Sequence, residues 1–255
     1  MKKALITGAS EGIGRVLTQS LAKEGYSITA IARNEPRLKE LLASLVNEKE
    51  HRCLKADLSK PEGVESVSRE LDDTHYDLLV NNAGFGAFGK FHEMPFERIQ
   101  EMSRVNCDAL AKLSYAFLKK SQKGDALLNV ASTASFHGLP LNAFYAATKA
   151  FVLSLTEALW YEQKERGVYV FALCPGYTLT EFVKRAGAED RDNFRKFAQT
   201  PEEVAQVALA ALRTRQKPFV ISGFQNSALA KIQKLIPRHT SVKLAAATYE
   251  RFLNR

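Results

Sequence analysis

The sequence has few cysteines, no long apolar run and no metal-binding motif. Its three cysteines are odd in number and form no C-x-x-C pair, so we expect reduced thiols rather than a disulfide framework. No stretch approaches the ~20 apolar residues that cross a membrane, and the apolar segment after Lys3 is too short for a signal peptide. H-E-x-x-H is absent, and the five histidines lack metal-ligand spacing. These absences predict a cytoplasmic protein without a metal.

Acidic residues are scarce at one end of the chain. From Arg213 to Arg255 nine basic residues accompany one acid, Glu250, so this segment supplies the whole net charge of +8 and residues 1–212 sum to zero. A neutral body argues against a basic nucleic-acid-binding fold, and we expect no nucleic-acid partner. No repeat, low-complexity segment or linker divides the chain. We therefore predict one domain over residues 1–255, with residues 224–255 as its basic helical extension.

Short apolar runs alternate with helical patterns at intervals of ~25–30 residues. This alternation predicts parallel βαβ units and an α/β fold. The predicted strands are Lys2–Thr7, Ser27–Ala32, His51–Ala56, Asp77–Val80, Ala126–Val130, Val168–Leu173 and Lys217–Ser222.

A glycine-rich turn, Gly8-Ala9-Ser10-Glu11-Gly12-Ile13-Gly14, connects the first strand to a helix. Glycines allow the backbone to approach an anion, and the free N–H groups of a helix N-terminus attract one, so the turn predicts a pyrophosphate site. Its G-x-x-x-G-x-G spacing differs from the usual dinucleotide fingerprint, and an ordinary turn is the alternative.

Arg33 ends the second strand, where an arginine favours the 2′-phosphate of NADP(H). A solvated arginine is the alternative, and Glu11 would repel that phosphate.

Ser132, Tyr145 and Lys149 form a candidate proton-transfer set. Ser132 follows a predicted strand, and one helical turn separates Tyr145 from Lys149, so both side chains project from one helix face. A nearby ammonium would lower the pKa of the phenol and suit it to acid–base work on a carbonyl or alcohol. Tyr-x-x-x-Lys is a common pattern, however, and Tyr115 with Lys119 forms a second copy.

Taken together, several motifs resemble the short-chain dehydrogenase/reductases over roughly residues 1–223. They are the glycine turn, Asp57-Leu58, Asn81-Asn82-Ala83-Gly84, Ser132, Tyr145-x-x-x-Lys149 and Pro175-Gly176, in the family's order and spacing. The resemblance implies a Rossmann-type, doubly wound parallel sheet of about seven strands, with helices on both faces and extra C-terminal helices. It also implies a homodimer or homotetramer formed through helices around residues 101–121 and 144–165.

The resemblance assigns roles residue by residue. The implied catalytic set is Asn106, Ser132, Tyr145 and Lys149, with Asn106 holding a water through its backbone or side chain. The implied NADP(H)-binding residues are Gly8, Ser10, Gly12, Ile13, Gly14, Arg33, Asp57, Leu58, Asn82, Ala83, Gly84, Tyr145, Lys149, Pro175, Gly176, Thr178 and Thr180. We therefore expect an NADP-dependent oxidoreductase acting on a carbonyl or secondary alcohol. A non-catalytic NADP(H) sensor on the same scaffold is the alternative.

Two further features concern the substrate and the tail. Aromatic residues favour a bulky apolar substrate, unless they pack in the core; they are Phe85, Phe88, Phe136, Phe144 and Tyr177. Residues 181–199 are predicted to form a movable helical lid over the substrate, and a fixed pair of surface helices is the alternative. The tail combines apolar stripes with lysine and arginine. It could lie on an anionic membrane surface, but packing over the substrate cleft or at a subunit interface is favoured.

Overall fold

The computed structural model describes residues 1–47, 50–187, 198–233 and 235–253. Its centre is a seven-stranded parallel sheet with the order β3-β2-β1-β4-β5-β6-β7, which confirms the predicted Rossmann-type architecture. The strands are β1 Lys3–Thr7, β2 Ser27–Ala32, β3 Arg52–Lys55, β4 Leu78–Asn81, β5 Ala126–Val130, β6 Tyr169–Cys174 and β7 Phe219–Ile221.

Helices connect the strands and cover both faces of the sheet. They are α1 Gly12–Lys23, α2 Glu35–Ala43, α3 Pro61–Asp73, α4 Phe96–Ser103, α5 Leu110–Lys120, α6 Ala143–Glu162, α7 Glu181–Arg185, α8 Pro201–Thr214, α9 Phe224–Gln233 and α10 Arg238–Leu253. A π-helical segment, Arg104–Ala109, joins α4 to α5. Among the described residues, no helix is both long enough and apolar enough to cross a bilayer.

The strands bury side chains on both faces, as a parallel sheet between two helical layers requires. In β1, Ile6 packs with Leu17 and Leu209 on one face, whereas Leu5 packs with Val67 and Phe117 on the other. Because β1 pairs in parallel with both β2 and β4, the order in which successive strands are added to the sheet reverses beside it. Ligands of such sheets bind at this reversal, outside the carboxyl ends of the strands.

Several element boundaries differ from the sequence expectation by one or more residues, and two of these differences have a local reason. The amphipathic pattern over Arg37–Asn47 predicts a second helix that runs to residue 47, but α2 ends at Ala43, and Asn47 adopts a φ of 58°, which an α-helix cannot contain. The last strand is limited to Phe219–Ile221. Pro218 precedes it and has no N–H to donate, although its carbonyl still accepts from Ala172 N.

Candidate active site

A cleft of about 1260 Å³ lies across the carboxyl ends of the strands. It extends from the glycine turn, past the N-terminus of α6, to the two tail helices. Most of the catalytic and NADP(H)-binding residues implied by the sequence line this cleft. They are Gly8, Ser10, Gly12, Ile13, Arg33, Asp57, Leu58, Asn82, Ala83, Gly84, Ser132, Tyr145, Lys149, Pro175, Gly176, Thr178 and Thr180. Gly14 and Asn106 do not line the cleft, but they contact residues that do.

The glycine turn is shaped for close approach of backbone to ligand. Gly8 and Gly12 have φ values of 66° and 54°, in the left-handed region that favours glycine. A Cβ atom at Gly14 would lie 2.3 Å from the carbonyl oxygen of Gly8. Thr7, which the sequence reasoning missed, fixes the other side: its Oγ1 accepts from the backbone N–H groups of Asn82 and Ala83, each at 3.0 Å.

Helix α1 begins at Gly12, and its N-terminus is open towards the cleft. The N-cap residue Glu11 makes no side-chain capping bond, and the first turn contains no acid. The unpaired N–H groups and the positive end of the helix dipole therefore suit a pyrophosphate. With the crowded glycines around it, this turn fits the dinucleotide expected from the sequence.

The repulsion expected from Glu11 is offset by two arginines. Its carboxylate pairs with Arg37 Nη1 at 2.7 Å and with Arg185 Nη2, so its negative charge is compensated. Arg33 lies beside them with its side chain 61% exposed, and its ion pair within the described part of the chain is a distant one, 3.7 Å from Nη1 to Glu101 Oε1. The end of β2 therefore holds an excess of positive charge facing the cleft. Sequence reasoning identified Arg33 but missed Arg37 and Arg185.

Asp57 and Leu58 form the wall after β3. Asp57 Oδ1 accepts from Ser59 N at 3.0 Å and from Ser59 Oγ at 2.7 Å. Burial opposes ionisation, but these hydrogen bonds and the charge of Arg33 outweigh it and lower the pKa of Asp57. Leu58 is 7% exposed and presents an apolar surface to the cleft.

Ser132 ends the extended segment after β5 and caps the short 3₁₀-helix Thr133–Phe136. Its Oγ accepts from Ala134 N at 3.1 Å and lies 3.4 Å from Pro175 O. The second distance is long for a hydroxyl donor, so the Ser132 hydroxyl retains a hydrogen that a substrate oxygen can accept.

Tyr145 and Lys149 occupy the first turns of α6, on the face that borders the cleft. Lys149 is 4% exposed, and its Nζ donates to Val130 O at 2.8 Å and lies 5.9 Å from the Tyr145 ring centroid. Burial lowers the pKa of Lys149 to about 8, against smaller opposing effects of Cys107 and Cys174. The second pair is different: Tyr115 is 67% exposed on α5 and is not part of the cleft wall.

Asn106 lies in the π-helical segment and is 1% exposed. Its Nδ2 donates to Phe85 O and Thr148 Oγ1, each at 3.0 Å, and its Oδ1 accepts from Phe85 N at 3.1 Å. The side chain is thus committed to protein partners and holds the loop after Gly84 beside Lys149. The water-binding role that the family resemblance implies for Asn106 would therefore fall to its backbone.

The segment after β6 closes the cleft near the tail. Thr178 Oγ1 donates to Gly176 O at 3.1 Å, and a Cβ atom at Gly176 would lie 2.3 Å from Asn226 Nδ2. Asn226, in α9, was not identified from the sequence. The predicted lid begins as α7, whose Phe182 ring lies 5.6 Å from the Tyr145 ring; residues 188–197 lie outside the described part of the chain.

The expected aromatic lining is only partly present. Phe85, Phe88 and Tyr177 border the cleft, whereas Phe136 packs on Phe219 at 5.7 Å and Phe144 on Phe91 at 6.4 Å. The tail completes the apolar wall through Leu229, Ile236, Leu244 and Ala245. Packing over the cleft is one of the two arrangements that the sequence analysis favoured over a membrane-bound tail.

Comparisons with known proteins agree with this geometry. A family model described as short chain dehydrogenase matches residues 2–191. The chain is 34% identical to a 7beta-hydroxysteroid dehydrogenase of Mediterraneibacter gnavus over 230 residues, 88% of this chain and 87% of the relative. A short-chain dehydrogenase from Sphingobium yanoikuyae, solved with NADPH, superposes with a TM-score of 0.81 at 30% identity, covering 92% and 94% of the two chains. A bulky-bulky ketone specific alcohol dehydrogenase from Comamonas testosteroni superposes with a TM-score of 0.76 at 25% identity, covering 93% and 96%.

Proposed function

Since the chain belongs to the short-chain dehydrogenase family, we propose that it is an NADP-dependent oxidoreductase that interconverts a bulky apolar ketone and its secondary alcohol. One observation carries the proposal: Ser132, Tyr145 and the buried Lys149 border the same cleft as the glycine turn. A dinucleotide bound at the turn would extend along the carboxyl ends of the strands towards these three side chains.

The residues present fit NADP(H) at both ends. Gly8, Gly12 and the N-terminus of α1 would hold the pyrophosphate, while Arg33 and Arg37 would pair with the 2′-phosphate. Thr178 and the Pro175–Gly176 backbone would orient the carboxamide. When bound, the nicotinamide supplies or accepts the hydride.

The side chains of the chain itself manage the proton and the developing charge. During reduction, Ser132 Oγ donates a hydrogen bond to the carbonyl oxygen and Tyr145 Oη gives its proton to that oxygen as negative charge develops. The Lys149 ammonium stabilises the resulting phenolate, and burial strengthens this effect because no water screens it. In the oxidation direction the same groups act in reverse, with Tyr145 as the base.

The substrate proposal depends on the lining beyond Tyr145. Phe85, Phe88, Tyr177 and the apolar residues of the tail give this half of the cleft a hydrophobic wall. Relatives named for hydroxysteroids and for ketones with two bulky substituents support the same size and polarity. A ketone or secondary alcohol on a rigid, steroid-sized skeleton fits this wall better than a sugar.

A substrate panel tests the proposal. Purified protein is incubated with steroid-sized ketones, small ketones and sugars, with NADPH or NADH, and nicotinamide absorbance is followed. We expect NADPH oxidation with the bulky ketones and little with the sugars. Tight NADPH binding without turnover across the panel would instead support the sensor alternative.

A further inference from the structure

The outer side of the tail carries large apolar side chains that the fold leaves in solvent. Phe224 is 88% exposed, Leu235 87% and Ile232 57%. Another side of α9 lines the cleft through Asn226 and Ala230. Packing over the cleft therefore explains the inner side of the tail but not these three residues.

The segment that contains these residues carries charge of one sign. Between Glu203 and Glu250 the sequence contains seven basic residues and no acid. Lys231, Arg238 and Lys243 belong to this stretch and are exposed on α9 and α10. Lys231 lies two helical turns after Phe224 and therefore projects from the same side of α9. We call Phe224, Lys231, Ile232, Leu235, Arg238 and Lys243 the outer tail face.

Net charge distinguishes between two possible partners of the outer tail face, a second copy of the protein and an anionic lipid surface. A second copy that docked its own tail here would bring together two segments that each carry six basic residues and one acid between residues 224 and 255, a net charge of +5, and they would repel. The body, residues 1–212, sums to zero and offers no net compensation. An anionic lipid surface supplies both missing partners, because headgroup phosphates and carboxylates attract the lysines and arginines while the acyl boundary accepts phenylalanine and leucine.

We propose that the outer tail face binds the surface of an anionic membrane. The cleft opens next to it, because Leu229 lines the cleft, is 54% exposed and lies one helical turn before Ile232. On the proposed function, an apolar ketone or alcohol dissolved in the bilayer would then enter the cleft without crossing water.

Vesicle sedimentation with the full-length protein tests this proposal. We expect binding to phosphatidylcholine vesicles that contain phosphatidylserine, weaker binding at high salt, and little binding to phosphatidylcholine alone. Phe224→Ser with Leu235→Ser, and separately Lys231→Glu with Lys243→Glu, should each weaken binding about tenfold or more. NADPH binding of each variant checks that it has folded.

Matched variants on the body serve as controls. Phe96, 62% exposed, is changed to Ser, and the exposed Lys23 and Lys123 are both changed to Glu; both proteins should bind like the wild type. Failure to sediment with anionic vesicles at low salt would overturn the proposal. So would unchanged vesicle binding by Phe224→Ser/Leu235→Ser together with loss of an oligomer in light scattering, which would identify a subunit interface. The assay needs no turnover, so its failure and failure of the proposed reaction are separate results.

Discussion

At the residue scale, the burial of Lys149 links its proposed catalytic role to the stability of the protein. An ammonium that is 4% exposed has lost most of its hydration, and the single hydrogen bond to Val130 O replaces only part of it. The pKa therefore falls from 10.5 in the unfolded chain to about 8. Burying the charged ammonium therefore lowers the free energy of unfolding by about 3 kcal/mol. This loss of stability accompanies the placement of a cation beside Tyr145.

Replacing Lys149 by methionine should stabilise the protein while it abolishes activity. Below pH 8 the wild type must bury a charged Lys149, so Lys149→Met should raise the free energy of unfolding by up to about 3 kcal/mol. Between the folded pKa, about 8, and the unfolded value of 10.5, only the unfolded chain keeps the proton, so wild-type stability rises with pH and the advantage shrinks. Urea unfolding at both ends of this range measures the effect. The exposed control Lys119→Met should change little, and a pH-independent advantage would contradict the explanation.

Tyr145 is predicted to act through its hydroxyl. Tyr145→Phe keeps the ring beside Phe182 but removes the proton donor, so turnover should fall by about 10³-fold or more. NADPH affinity, measured by fluorescence titration, should change little. Tyr115→Phe is a matched control, because Tyr115 also precedes a lysine by four residues but is exposed outside the cleft. Substantial activity in Tyr145→Phe would refute the assignment.

Arg33 is predicted to select the phosphorylated cofactor. Removing a charge-assisted contact to the 2′-phosphate costs about 1.5–3 kcal/mol, so Arg33→Ala should raise the KM for NADPH about 10- to 100-fold. The KM for NADH should stay nearly constant, because NADH lacks that phosphate. Arg69→Ala, on α3 and 70% exposed, provides a control. Equal losses with both cofactors would argue against a 2′-phosphate contact.

At the element scale, β1, the glycine turn and α1 together form the proposed pyrophosphate site. Gly14→Ala would place a Cβ atom 2.3 Å from both Gly8 O and Asn82 Nδ2, so the turn must open. We expect NADPH binding to fall at least tenfold in calorimetry. Gly25→Ala is the comparison at the other end of α1, where φ is 84° and no atom lies within 4 Å. It should lose about 1 kcal/mol of stability through backbone strain but bind NADPH normally; if it lost binding equally, helix destabilisation rather than the clash would be responsible.

The π-helical segment shows how an element boundary can position a site. Arg104–Ala109 interrupts the regular helix between α4 and α5 at Asn106. Such segments occur often at functional sites. Here Asn106 reaches both Thr148 in α6 and the backbone of Phe85. The interruption thereby connects the loop after β4 to the helix that carries Lys149.

At the scale of the whole molecule, exposed aromatic residues on α5 and α6 agree with the expected oligomer. Tyr115 is 67% exposed and Phe151 42%, and both lie on helices that the family resemblance assigns to subunit contacts. We predict a dimer or tetramer in light scattering, and a smaller species for Phe151→Glu, because a buried carboxylate would lack a partner. Phe96→Glu, on α4, is the control. A monomeric wild type would contradict the prediction.

The sequence by itself determined the order of strands and helices, the glycine turn, and the Tyr145–Lys149 pair. Each depends on spacing along a few residues: apolar runs bounded by turns, glycines at fixed intervals, or side chains one helical turn apart. Such short-range spacing is the same whatever the position of the segment in the fold. That is also why spacing alone could not separate Tyr145 from Tyr115, and the choice rested on the other motifs.

Only the tertiary structure decided which distant residues meet. It brought Arg185 to Glu11, 174 residues away, where it offsets the repulsion expected between Glu11 and a bound phosphate. It also placed Asn226 against Gly176. Phe136 and Phe144 pack on other aromatic rings instead of lining the cleft. The tertiary structure also gave the tail a side that lines the cleft and a side that faces solvent. Such contacts depend on how packed elements cross, and no local spacing encodes that geometry. The candidate catalytic residues could therefore be proposed from the sequence, whereas the walls of the cleft could not.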